Sequence, residues 1–355
     1  MSDEWITRSA IQSGDNAAVF FHGDPAQQSV GLTQADIDTL RGSSVATLQG
    51  IRSKLGRRAV VSTLQQGLFP IGLSAEVFGA LDIAVGYASP RGRLRLLKTI
   101  KTLQPDTWVT TPCAALDFLA RLYMEFNVDP FELGLEHIVL TGEIASPGAQ
   151  KRIADEFEAV VTDVYTDPVF GAALAWREGN ALHCPSQSLA LAERDADTII
   201  AQGEQLQAST AAEIVLHNSS VSALAGKVLR SGQLIDCEQN HNSFHHSCGE
   251  LVMVRGQWLS LPAFHQAFKL IDGIQGWQLV IERGEGTLDK VTPRIGLNRE
   301  TLVENPMWQG RLRETIASVS AVEVHVDTYL LTEDEPQPDS CIDDQRGHHL
   351  GKWLP

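Results

Sequence analysis

A chain of 355 residues exceeds one ordinary domain and predicts two. Its 43% hydrophobic content and mean hydropathy of −0.08 describe a globular protein able to bury a real core. The formal charge of −16 repels phosphate backbones and anionic lipid, so nucleic acid and membrane surfaces are excluded as expected partners.

No apolar run approaches the ~20 residues needed to span a bilayer. The opening MSDEWITRSAIQSGDN has neither the basic nor the apolar region of a secretory signal. Five cysteines at 113, 184, 237, 248 and 341 do not form a disulfide framework. A reducing cytoplasm is the expected compartment.

In chain order, AVVSTL (59–64), TWVTTP (107–112), HIVLTG (137–142) and AVVTDVY (159–165) read as buried strands. Between them GRLRLLKTIKTL (92–103) and AALDFLARLYMEF (114–126) carry apolar residues at helical spacing. SPGAQKRIADEF (146–157) opens with Ser146 as N-cap and Pro147 in the first turn. This alternation predicts an α/β fold: a mostly parallel sheet core with helices on both faces. Ligands of such sheets sit beyond the carboxyl ends of the strands, which groups Thr111-Pro112, Gly142-Glu143 and Asp163-Val164-Tyr165 around one crevice.

Residues 180–247 are less periodic, and CEQNHNSFHHSCG (237–249) reads as a loop or boundary. Beyond it come LVMVRG (251–256), WLSLP (258–262), a helix near 263–272, WQLVIER (277–283) and KVTPRIGL (290–297). A helix near 305–318 and AVEVHVDTYLL (321–331) complete the order β-α-β-β-α-β, expected of a small ferredoxin-like α+β domain. The remaining tail is polar, contains proline and is expected to be partly extended. The expected division is 1–247 and 248–355.

Read in order, seven stretches resemble the phenylacetate–CoA ligase branch of the adenylate-forming superfamily. GLTQADID (31–38) resembles its Tyr-Thr-Lys-Arg-Asp-Ile-Asp, and QQGLFPIGLSAEVFGAL (65–81) its Tyr-Gly-Leu-Phe-Thr-Gly-Gly stretch. TTPCAAL (110–116) resembles Thr-Pro-Ser-Tyr, TGEIASPGAQKRI (141–153) resembles Gly-Ala-Glu-Pro with its helix, and DVYTDPVFG (163–171) resembles Asp-Ile-Tyr-Gly-Leu-Ser-Glu-Val. VRGQWLSLP (254–262) resembles Ile-Arg-Gly-Val-Asn-Val-Phe-Pro, and CIDDQR (341–346) resembles Arg-Val-Val-Asp-Asn-Arg. Enzymes of that kind make an acyl-adenylate from a carboxylic acid and ATP with magnesium, then pass the acyl group to coenzyme A. The resemblance implies a truncated adenylate-forming N-terminal domain over 1–247 and a C-terminal lid with its tail over 248–355.

Where the family places its phosphate loop, this chain has FHGDPAQQ (21–28). There Asp24 brings a negative charge and Pro25 removes a donor. The family's magnesium-binding glutamate falls at Val169, its ribose-gripping aspartate at Gln233, and its catalytic lysine near Pro338. Four altered phosphate-handling positions argue against ordinary adenylation. No catalytic residue is assigned.

By resemblance, Gly142, Glu143, Asp163, Tyr165, Gln233 and Arg255 line a nucleotide or acyl-ester site. The plainer alternative makes Glu143 a helix-cap acid, Tyr165 a core residue and Arg255 a hinge arginine. Leu68, Phe69, Phe78 and Pro112 are acyl-pocket candidates, or plain core. Cys237, His241 and Cys248 are candidate zinc ligands, against the alternative of a solvated loop that holds histidines.

Three functions are therefore expected in competition. The first is a protein that binds a carboxylic acid or its AMP or CoA ester, its ATP-dependent activation lost or altered. The second is an active, diverged AMP-forming acid–CoA ligase in a biosynthetic pathway. The third is a non-catalytic oligomerisation or regulatory module. ATP or AMP, magnesium and CoA are the implied cofactors. A pathway protein or a second copy in a homodimer is the implied macromolecular partner.

Overall fold

The computed structural model describes residues 4–11, 19–21, 30–62, 71–89, 92–178, 181–203, 206, 211–217, 220–236, 243–255, 257–283, 289–320, 322–331 and 338–354. The chain divides into two compact units, Met1–His246 and Ser247–Pro355.

The first unit is organised by a seven-stranded sheet. Its spatial order is Ala181–His183, Ala173–Glu178, Val160–Thr166, His137–Thr141, Thr107–Thr110, Arg58–Ser62 and Ala84–Tyr87. The last five run parallel, and the first two are added antiparallel. Thr107–Thr110 and His137–Thr141 are buried at every position, which is why they read as continuous apolar runs rather than alternating ones. Helices Arg93–Leu103, Pro112–Arg121 and Pro147–Phe157 bury Leu96, Leu97, Ile100, Phe118, Leu119, Ile153 and Phe157 against Val60, Trp108, Ile138 and Leu140. Each of the last two starts with a hydroxyl cap followed by proline, Thr111-Pro112 and Ser146-Pro147. Helix Gln34–Gly50 packs along strand Ala173–Glu178: Ser44 Oγ accepts from the Ala173 N–H at 3.0 Å. A Cβ at Gly50 would lie 2.1 Å from the Trp176 ring, so glycine is what lets that helix end close to the strand.

Strands between residues 189 and 247, aperiodic in sequence, build a second sheet with the chain's opening strand. Its order is Glu4–Thr7, Lys227–Asp236, Ala212–Leu216, Leu189–Ala192 and Ile199–Gln202, with Ser243–Ser247 also paired to Lys227–Asp236. Most of these strands have three to five residues, and two are buried throughout, so no period-2 signal marks them.

The second unit holds a hairpin, Leu251–Val254 with Gln257–Ser260, and a four-stranded sheet ordered Asp327–Leu330, Asp289–Leu297, Ile274–Arg283 and Ile342–Asp344. Helices Leu261–Lys269 and Pro306–Val319 supply Leu261, Phe264, Phe268, Leu312 and Ile316 to its core. The α/β body and the small α+β unit are as the sequence predicts. Two details differ. Residues 251–260 pair with each other instead of joining the sheet. The sheet's outer strand is instead drawn from the tail, where Cys341 and Ile342 are buried. Arg346, 2% exposed at its side chain, fixes that strand through Asp289 Oδ2 (2.5 Å), both oxygens of Asp344 (2.8 Å each) and the Met253 carbonyl (3.0 Å). Charge-assisted bonds to four acceptors outweigh the polarity that made the tail look extended.

Candidate active site

The carboxyl ends of the parallel strands bring three of the sequence motifs together. After Thr107–Thr110, Thr111 caps helix Pro112–Arg121 by accepting from the Ala114 N–H. After His137–Thr141, Gly142 turns with φ of 78°, a conformation an L side chain adopts only with strain. That turn carries Glu143, 7% exposed, to the start of the neighbouring helix, where its Oε2 accepts from the Cys113 N–H at 2.9 Å. Of the two roles open to Glu143, this geometry is that of the helix-cap acid. Pro112 occupies the first helical position, buried.

The third motif follows strand Val160–Thr166. Its loop is built around Asp167, which the sequence reading passed over. The 1%-exposed carboxylate accepts from the Val169, Phe170 and Ala172 N–H groups at 2.9, 2.8 and 2.9 Å. Burial pushes the Asp167 carboxyl up, opposed by those three donors and by the charge of Arg8. Arg8 itself reaches the Pro168 carbonyl at 3.4 Å. The signal was an Asp-Pro followed by glycine, the chemistry of an Asx turn. Val169 lies in the apolar core and presents no oxygen. Thr166 bonds Thr141 across the strand ends at 2.9 Å.

Against this loop lies Ile71–Leu73, the described end of the 65–81 stretch. The Gly72 N–H donates to the Gly171 carbonyl at 2.9 Å. A Cβ on Gly72 would stand 2.3 Å from that oxygen and 2.7 Å from the Ala173 nitrogen, both backbone atoms. Gly72→Ala is therefore expected to cost about 2 kcal/mol in urea unfolding. Gly42→Ala, with open space on an exposed helix face, should instead gain a few tenths to about 1 kcal/mol. Equal effects at the two sites would contradict the close approach. Of the other acyl-pocket candidates, Phe78 is 1% exposed within Ala75–Gly79, while Leu68 and Phe69 lie outside the described residues.

Tyr165 is wholly buried, and the imidazole of His245 stacks on it at 5.3 Å and 27°. Phe244 lies at 5.5 Å. A side chain of the same unit therefore covers this ring, which the resemblance assigns to adenine. Gln233, 1% exposed, has its amide nitrogen 3.3 Å from His245 Nδ1. The second sheet thus delivers His245 onto Tyr165, with Gln233 bonded to that imidazole. His245 holds φ of 71° to do so, and burial drives its imidazole down to about 3. Asp163 pairs with Arg177 at 3.2 Å, both nearly inaccessible; burial raises its carboxyl to about 6 although the guanidinium pulls the other way. That pair is an interior ion bridge.

Arg255, in the second unit, donates through Nε to the Asp289 carbonyl at 2.7 Å with its own φ at 51°. It braces the strand Asp289–Leu297. Cys237 and His241 lie outside the described residues, and among the described residues no group of three His, Cys, Asp or Glu is placed to hold a metal. Cys184 is a packing residue: burial pushes its thiol up to about 12, and Sγ donates to the Ser186 carbonyl at 3.3 Å.

No family model and no curated protein matches the sequence. Solved structures do resemble the fold. A 2-hydroxyisobutyryl-CoA ligase in complex with 2-HIB-AMP and CoA aligns at TM-score 0.70 and 15% identity, over 93% of this chain and 74% of that one. The amide bond synthetase McbA from Marinactinospora thermotolerans aligns at 0.64 and 13%, over 90% and 67%. A malonyl-CoA ligase with methylmalonyl-CoA and AMP bound aligns at 0.59 and 12%, over 90% and 71%. The fold of this chain is that of these CoA ligases and this amide bond synthetase.

Proposed function

We propose that this protein binds a carboxylic acid or its AMP or CoA ester without ordinary AMP-forming turnover. The observation that carries this reading is the closed cluster of Tyr165, His245 and Gln233. Ring face and amide are engaged inside the protein at the positions where the resembling family meets adenine and ribose. Asp167 adds support, because its carboxylate already occupies three N–H groups of this loop. With valine at 169, these residues do not fit a magnesium–ATP complex. The ligand class is supported by the similar structures, which hold 2-HIB-AMP with CoA and methylmalonyl-CoA with AMP.

Among the described residues no helix is long and apolar enough to cross a membrane. The cytoplasm, a pathway partner and a homodimer stay with the proposal, as do the lid role of 248–355 and a structural zinc at Cys237, His241 and Cys248.

Two measurements test it. Across a panel of aryl and short aliphatic acids, ATP–pyrophosphate exchange should stay at background with magnesium present. Melting temperature should rise with at least one acid, AMP or CoA ester. Robust exchange would establish the diverged-ligase alternative instead. No shift with any acid, AMP or CoA ester would leave the oligomerisation module.

A further inference from the structure

Between Asp82 and Asp106 the sequence carries five basic residues, Arg91, Arg93, Arg95, Lys98 and Lys101, and no acidic one, in a chain of net charge −16. The structure gathers most of them on one helix, Arg93–Leu103. Its inner face is apolar and fully used: Leu96, Leu97 and Ile100 are buried with Val60, Trp108 and Phe118. Arg93 is committed to Asp117 at 2.6 Å. The outer face is different. Arg95, Lys98 and Lys101 are exposed at spacings of three, so they share one side and span about 9 Å along the axis. Among the described residues none of the three pairs with a carboxylate within salt-bridge distance, although the protein holds 44 acidic residues.

Leu94 belongs to the same surface, whereas Leu103, nine residues on, lies about half a turn round the helix. Leu94 is 52% exposed, and Leu103, 39% exposed, lies over the edge strand Ala84–Tyr87 so closely that a Cβ on Gly86 would meet its Cδ1 at 2.6 Å. Exposed Arg58 joins the basic row at its end, donating to the Leu103 carbonyl at 3.0 Å. Like charges three residues apart repel one another along a helix, so this face is not shaped by the stability of the isolated chain. Apolar contacts ringed by unpaired cations are instead the make-up of a protein interface.

We propose that the outer face of helix Arg93–Leu103 docks an acidic protein segment, an amphipathic helix with carboxylates at i, i+3 and i+7 and a leucine between them. Its carboxylates meet Lys101, Lys98 and Arg95, while its apolar residue lies on Leu94. An extended anion such as nucleic acid, or an anionic bilayer, is disfavoured because the rest of the surface carries the opposite field. This surface stands on its own and does not depend on what the strand-end cleft binds.

The test uses the full-length protein and fluorescence anisotropy with a labelled synthetic peptide of that pattern. A second peptide replaces each glutamate by lysine. Binding of the acidic peptide is expected to weaken about tenfold between roughly 20 and 200 mM salt. The triple variant Arg95→Glu, Lys98→Glu, Lys101→Glu should lose it by at least tenfold, and Leu94→Ser should weaken it severalfold. Arg313→Glu, on an exposed helix of the second unit, should leave it unchanged. Melting temperatures establish that each variant folds; a triple variant that does not fold is replaced by the three single reversals. Absent binding of the acidic peptide, equal binding by the charge-reversed proteins, or tighter binding to phosphatidylglycerol vesicles or single-stranded RNA each overturns the proposal.

Discussion

An Asp167→Ala variant is expected to lose about 3 to 5 kcal/mol of stability in urea unfolding. The carboxylate is the acceptor for three N–H groups within five residues, all in a loop that is otherwise apolar and closed. Truncation leaves those donors buried without that acceptor, and each costs about 1 to 3 kcal/mol when water cannot reach it. Asp167→Asn separates charge from hydrogen bonding. Its carbonyl can still accept from Val169 and Phe170, but its NH₂ would oppose the Ala172 N–H, so a loss of about 1 to 2 kcal/mol is expected. An alanine variant within 1 kcal/mol of the parent would mean that the loop N–H groups find other acceptors. The closed-loop support for the proposed function would then fall.

The second large effect is acid sensitivity. His137 is 1% exposed, bonded through Nε2 to Thr162 Oγ1 at 2.8 Å; burial, with a smaller push from Lys54, lowers its imidazole to about 4. His245 is lowered further, to about 3, by burial first and by the charges of His246 and Arg177 next; a backbone bond to Val164 works the other way. Both are neutral in the fold, whereas in the unfolded chain they take up protons near pH 6.5. Above pH 6.5 neither state is protonated and the fold is unpenalised. As pH falls from 6.5 towards 4, the unfolded state alone binds protons, and each histidine removes about 1.4 kcal/mol per unit. For His137 the sum over its window is about 3 kcal/mol. Asp163, raised to about 6, has the opposite slope in the same range, so the wild-type curve alone does not isolate the histidines. His137→Gln does. Its stability should fall less steeply between pH 6.5 and 4.5, by about 1.4 kcal/mol per unit. Parallel curves for the two proteins would show that His137 titrates normally in the fold.

Much of the α/β body was legible because its signals are local. Thr111-Pro112 and Ser146-Pro147 announce helix starts by hydrogen bonding and fixed φ. Continuous apolar runs such as His137–Thr141 announce strands buried on both faces. Strand–helix alternation then fixes that residues 111, 142 and 165 end on one side of a sheet, so their convergence follows from chain order alone.

Other features depended on contacts between residues distant in the chain. Leu189–Ala192 and Ala212–Leu216 are too short and too uniformly buried to show a period, and they become strands only because neighbours complete their hydrogen bonds. The tail reads as polar and extended until Arg346 finds Asp289, 57 residues away, and pins Ile342–Asp344 to the sheet. The sequence leaves the roles of Tyr165 and Glu143 open between site and scaffold. Residue type permits both, and only the position of His245, 80 residues further on, covers the ring. Sequence determines which groups exist and which short segments they shape. Whether a buried ring meets a ligand or another side chain is decided by long-range packing, since desolvation depends on what fills the remaining space.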